Sequence, residues 1–168
     1  VQPKAIAPMP TATDSLREEV EALVKEGLFQ SAWTLASFLT SDKSMKKKPE
    51  EEAKDWALFG DAAFGLESFS QAKGFYEKAL MVLRNSRCEA KSLFPILLRC
   101  ADCALRLRDS EGALEFLTTV PFDHRPLRHS LCIARLYERS GKREPAIQAY
   151  QEIINRTQGH LMVVEALQ

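Results

Sequence analysis

An alanine that keeps returning with the same neighbours limits what this chain can fold into more than any other feature. Ala32, Ala72, Ala113 and Ala146 stand 40, 41 and 33 residues apart. The second copy is the fullest: Trp56, Phe59, Gly60, Ala63, Phe69, Ala72, Tyr76 and Ala79 mix bulky and small residues over one expected helical hairpin. The fourth repeats the pattern with Ile133, Ala134, Tyr137, Gly141, Ala146, Tyr150 and Ile153. Two thinner copies are Gly27, Phe29, Ala32 and Leu39, and Cys100, Ala101, Ala104, Ala113 and Leu117. Self-similarity at such a period marks a stack of supersecondary units, none of which buries its apolar face alone. Small residues serve where two helix backbones approach, and large ones fill the adjoining hole. The two longer steps place insertions in 41–48 and 83–89.

Local signals split each copy into two helices, expected over 14–26 and 29–41, 50–66 and 69–84, 91–107 and 110–119, and 127–140 and 143–157. Ser15 and Glu18 have the spacing of a capping box, and Pro49 followed by Glu50, Glu51 and Glu52 puts acids beside the free N–H groups of a first turn. Gly27, Gly141 and Gly159 stand where helices are expected to end, because glycine takes the left-handed conformation at little cost. Pro121 and Pro126 bracket a short break. Residues 1–13, rich in Pro and Ala, read as a disordered lead without the basic start and apolar run of a signal peptide. Residues 14–168 read as the repeat domain, in units of about 14–41, 50–84, 91–119 and 127–157, with a further helix starting from about 160. The Val1 start makes a fragment of a longer chain the expectation.

The register of these residues resembles the tetratricopeptide repeat. Trp56, Phe59, Gly60, Ala63, Phe69, Ala72, Tyr76 and Ala79 match repeat positions 4, 7, 8, 11, 17, 20, 24 and 27. The resemblance implies an all-α, right-handed tetratricopeptide-repeat solenoid of about four helix hairpins, with a concave surface lined by the first helix of each pair.

Charge narrows the function further. Lys plus Arg and Asp plus Glu balance at 23 each, so no overall field favours nucleic acid or an anionic membrane. Apolar runs such as 35–39 fall far short of the roughly 20 residues a spanning helix needs.

Catalysis finds no constellation. His124 and His129 flank Pro126 in the expected break and read as solvated loop residues, and His160 has no acid or nucleophile at a recognisable spacing. Cys100 and Cys103 have the spacing of half a zinc site, yet no second ligand pair follows, and buried free thiols at a packing position are the simpler reading. Four cysteines without an export signal read as reduced thiols of the cytoplasm or nucleus. The glycines form no phosphate-cradling loop. We therefore expect a non-enzyme without metal, cofactor or small-molecule substrate. Lys43, Lys46, Lys47 and Lys48 could form a nuclear-import address, but the following Glu50, Glu51 and Glu52 favour a solvated linker. Trp33 and Trp56 read as core.

In the tetratricopeptide register, positions 2, 5, 6, 9, 12 and 13 of each first helix face the groove. They are Lys54, Ala57, Leu58, Asp61, Phe64 and Gly65 in the second repeat. In the third they are Pro95, Leu98, Arg99, Asp102, Leu105 and Arg106, and in the fourth Arg128, Leu131, Cys132, Arg135, Glu138 and Arg139. Leu58, Phe64, Leu98, Leu105 and Leu131 form an apolar line, and Arg99, Arg106, Arg135 and Arg139 supply cations for the acids of an amphipathic helix. Leu98, Asp102 and Cys132 stand where chaperone-binding members of the family carry polar clamp residues, which lowers a chaperone-tail adaptor.

A closer likeness runs from about 15 to 168. Leu98 through Leu107, Ala113 to Leu117, the Val120-Pro121 break, and Leu131 through Gly141 resemble the N-terminal part of subunit seven of the anaphase-promoting complex, a ubiquitin ligase. That resemblance implies a non-catalytic scaffold of the nucleus and cytoplasm, pairing with itself and with other tetratricopeptide subunits in cell-cycle control. Leu16, Val20 and Leu23, at helical spacing on the first helix, would then insert into the apolar line of a second copy. A general adaptor binding an acidic or amphipathic peptide is the alternative.

Overall fold

The computed structural model describes residues 11–41 and 47–166, with side chains as far as 159. Eight α-helices are found among the described residues: α1 Ala12–Glu26, α2 Phe29–Ser41, α3 Pro49–Gly65, α4 Phe69–Asn85, α5 Phe94–Arg106, α6 Ser110–Thr119, α7 Leu127–Arg139 and α8 Arg143–Ala166. They fall into two compact units, Val1–Cys88 with α1 to α4 and Glu89–Gln168 with α5 to α8.

The hairpins are the expected ones, and their turns share one geometry. Gly27, Glu67, Arg108 and Gly141 all have φ between 59° and 77°. In each, the N–H that follows the left-handed residue reaches back to a carbonyl in the last turn of the helix: Leu28 to Leu23 O at 2.9 Å, Ser68 to Ala63 O at 2.9 Å, Asp109 to Ala104 O at 2.9 Å and Lys142 to Tyr137 O at 2.9 Å. This six-to-one bond with a left-handed residue inside it is the Schellman closure. Each left-handed residue precedes its packing alanine by five positions, so turn and alanine keep step through both insertions.

Three expected boundaries move. The capping box of α1 is made by Thr11 and Asp14, not by Ser15 and Glu18: Thr11 Oγ1 accepts from the Asp14 N–H at 3.2 Å, and Asp14 Oδ2 accepts from the Thr11 N–H at 3.0 Å. Ser15 is already helical, since an extended Thr11 completes the box one turn earlier. Expected helix 91–107 divides into a 3-10 turn, Ala90–Leu93, and α5, because Pro95 lacks an N–H and belongs in a first turn. Gly159 does not stop α8, which continues to Ala166 and absorbs the separate helix expected from about 160. A single glycine inside a helix costs only about 1 kcal/mol relative to alanine. Residues 1–10 of the expected lead, and Lys43 and Lys46, lie outside the described residues.

The repeated alanines do what their register implies. Ala32, Ala72 and Ala113 are fully buried, and Ala146 nearly so. In the first unit, Val20, Ala32, Ala36, Leu39, Leu58, Phe59 and Ala62 form one core, with Trp33, Trp56 and Phe75 packed against it. Phe59 and Phe75 stack at 4.0 Å between ring centroids, and Trp33 meets Phe59 edge-on at 4.6 Å. Both tryptophans thus belong to the core periphery. Gly60 is obligatory there, since a Cβ would run into the Tyr76 ring, whose hydroxyl donates to Asp61 Oδ1 at 2.6 Å. In the second unit, Ala101, Ala104, Ala113, Leu117, Ile133 and Leu136 form the core. Cys100 and Cys103 beside it are fully buried and form no disulfide.

Candidate partner-binding surfaces

Each unit joins its first-position helices through buried polar side chains. In the first unit, Asp55 on α3 is 1% exposed and accepts from Arg17 Nε of α1 at 2.6 Å and from Lys47 Nζ at 2.7 Å. Arg17 also meets Asp14 Oδ1 at 2.8 Å, and the hydrogen bond to Asp55 raises its already high pKa. Lys47 donates a further bond to Leu39 O at the end of α2. Lys47 was expected in a solvated basic linker. It is instead a buried strap that fastens the α2–α3 connection to Asp55, because a lysine stem packs well once its ammonium has a carboxylate and a carbonyl to satisfy it.

In the second unit, His129 is 2% exposed and its Nε2 lies 2.9 Å from Asp102 Oδ1 on α5. The expected solvated loop ends earlier, and His129 stands in the first turn of α7. Asp102 also faces Arg128 Nη2 at 3.6 Å. His124 remains exposed, its ring 5.1 Å from that of Phe94. The Cys132 thiol on the same helix is pushed up by burial and by Asp102, which keeps it protonated. The side chain of His160 lies outside the described residues.

The apolar residues chosen from sequence divide sharply. Val20 is fully buried and Leu58 nearly so, both inside their own unit's core, with Leu16 and Leu23 packed against it. Val20 is therefore consumed by α1's own packing and is not available to a second copy, whereas Leu16 and Leu23 are half-buried and only partly engaged by the core. Along α3, Ala57 is buried, Gly65 abuts the Phe29 ring, and Lys54 Nζ pairs with Glu21 Oε1 of α1 at 2.5 Å. Phe64 is half-buried, 5.1 Å from the ring of Phe69. Little of that face is left for a partner.

The second unit differs. Leu98, Arg99, Leu105 and Leu131 are half-buried, and Arg106, Arg135 and Arg139 are exposed. Leu98 and Leu105 also pack against the core cluster, so half of each side chain supports the fold and half is presented. A cavity of about 500 Å³ opens between Leu105, Arg108, Ser110, Leu136 and Arg139. An apolar floor with a cationic rim can hold an apolar side chain and pair an acid beside it.

No protein-family model matches the chain. Anaphase-promoting complex subunit 7 of Dictyostelium discoideum is 27% identical over 154 residues, covering 79% of this chain and 26% of the relative. The Arabidopsis thaliana subunit 7 is 24% identical over 165 residues, covering 83% and 29%. Among solved structures, the chain is similar to a Podosopora anserina putative kinesin light chain with nearly identical TPR-like repeats, at a TM-score of 0.71 and 15% identity over 89% of this chain and 77% of that one. It is also similar to BtubC from P. vanneervenii, at a TM-score of 0.70 and 21% identity over 88% and 64%. The chain is an all-α tetratricopeptide-repeat protein that resembles anaphase-promoting complex subunit 7. It spans about a quarter of the length of those two curated relatives.

The tetratricopeptide register explains what sequence reasoning missed. Asp55 and His129 occupy the same repeat position, each seventeen residues before its packing alanine. Repeat three fills that position with Ile96, buried like the others. A polar residue at a position that is apolar in a sister repeat is a signal of a buried polar link, and it was available in the sequence.

Proposed function

We propose that this chain is a non-catalytic scaffold module of an anaphase-promoting complex type of ubiquitin ligase, acting in the nucleus and cytoplasm and pairing with itself and with other tetratricopeptide subunits. The observation that carries the reading is the likeness to subunit 7 across about four-fifths of the chain, in a fold of matching repeat type. Its buried polar groups support the same view, since Asp55 and His129 are used to join helices. With Val20 and Leu58 committed to the core, self-pairing draws on apolar side chains left at the surface of the first unit, foremost Phe38 on α2, which is 62% exposed. Exchanging the matching segment of the Dictyostelium subunit 7 for this chain tests the assignment. The exchanged subunit should co-purify with its complex, whereas exclusion of a folded chimera would reject the ligase role.

A second reading rests on the second unit alone. The half-buried Leu98, Leu105 and Leu131 beside Arg106, Arg135 and Arg139 suit an amphipathic acidic helix. An adaptor of this kind would stay monomeric and bind such a peptide, and reversing Arg106 and Arg135 to Glu would abolish the binding.

A further inference from the structure

Arg108 holds a left-handed backbone at φ of 59° with a side chain in place, a conformation that is costly for residues other than glycine. Two of the four hairpin turns avoid that cost with Gly27 and Gly141, and the turn of the second repeat holds Glu67, so the closure itself does not ask for a cation. Nor does the end of α5, which already has Arg106 in its last turn. Strain kept where glycine would remove it points to work done by the side chain. That side chain lines the cavity of about 500 Å³, together with Leu105, Ser110, Leu136 and Arg139.

The cavity sets two cations over an apolar floor. Leu136 is buried and Leu105 half-buried, whereas Arg108 and Arg139 are exposed and within reach of a ligand from solvent. Neither guanidinium has a hydrogen-bond or ion-pair partner among the described residues. No carboxylate lines the cavity among those residues either. The acids close by in sequence are already engaged. Asp109 caps α6 by accepting from the Gly112 N–H at 2.9 Å, Asp102 faces His129 at 2.9 Å, and Glu138 accepts from the Tyr150 hydroxyl at 3.0 Å. Asp102 and Glu138 are the only acids on α5 and α7, against the five arginines Arg99, Arg106, Arg128, Arg135 and Arg139.

We propose that this cavity is the anchor pocket for an acidic amphipathic helix of a partner protein. One apolar side chain of the partner enters against Leu105 and Leu136, and a glutamate beside it pairs with Arg108 and Arg139. A cavity within the range of about 300–1,000 Å³ found for ligand clefts has room for a large side chain. The cationic excess of the two helices favours an acidic occupant, and guanidinium–carboxylate pairs fix its register. This site rests on the adaptor reading for its partner, and deepens it by adding the turn residue Arg108, which the groove positions do not include.

The test measures binding of an acetylated, amidated helical peptide of leucine, glutamate and alanine to the chain by fluorescence anisotropy. A second peptide carries glutamine in place of every glutamate. Arg108→Gly removes the guanidinium while relaxing the turn, so helix content should hold and the denaturation midpoint should not fall. Affinity of this variant for the glutamate peptide should drop about fivefold or more, with little change for the glutamine peptide. Equal binding of the glutamate peptide by the wild-type chain and Arg108→Gly overturns the pocket and leaves the adaptor reading, which Arg106 and Arg135 test separately. An equal loss for both peptides also overturns it, since the arginine would then act through the fold. A glutamate peptide that binds neither form rejects the adaptor reading and the pocket together.

Discussion

Arg17 and Asp55, 38 positions apart in sequence, are bonded at 2.6 Å with both side chains out of solvent, and Lys47 closes on the other carboxylate oxygen. Removing the carboxylate strands two cations. Asp55→Ala should cost about 3–5 kcal/mol, read as a lower urea midpoint of the first unit. Replacing Arg17, Lys47 and Asp55 together by Met, Met and Leu should recover most of that loss, because the desolvated charges vanish as a set. Equal instability in the single and triple variants would contradict the role given to the hub.

The left-handed turn residues predict opposite effects of glycine. Glu67 and Arg108 hold φ of 59° with a Cβ in place, so Glu67→Gly and Arg108→Gly should each stabilise by up to about 1 kcal/mol. Gly27→Ala, at φ of 77°, should destabilise by a similar amount. Denaturation midpoints of the three variants decide the matter.

Gly60 tests helix packing instead of backbone freedom. Its φ is ordinary, and the obstacle is the Tyr76 ring. Gly60→Ala should cost about 1–3 kcal/mol by overpacking. Pairing it with Tyr76→Leu should return part of the loss, measured as coupling in a double-mutant cycle.

Acid should loosen the start of α1. The Thr11 hydroxyl, then the Thr11 N–H, hold the Asp14 carboxyl below its ordinary value. A depressed folded pKa stabilises above the unfolded value and is lost as pH falls through the folded one, so the effect fades below about pH 4. Asp14→Asn should flatten this part of the stability profile between about pH 5 and pH 2, as followed by the helical signal.

Much of the fold was legible in the sequence because its causes are local and repeated. Ala72 and Ala146, Gly60 against Tyr76, and the turns at Gly27 and Gly141 follow from the spacing of neighbours within one hairpin. The polar links resist such reading, since the partners of Asp55 lie 38 positions before it and in a loop that looked like a charge run. His129 was misjudged because Pro126 suggested a longer break, whereas proline at a helix entrance leaves the next residues free to start α7. Leu58 and Val20 looked available because the groove register alone does not show how far α1 packs over α3.

Sedimentation equilibrium of the chain across a range of concentrations tests the central claim, a self-pairing scaffold, most directly. The account predicts a concentration-dependent dimer without added peptide, returned to monomer by Phe38→Glu at unchanged helix content. A strict monomer at every concentration would contradict it.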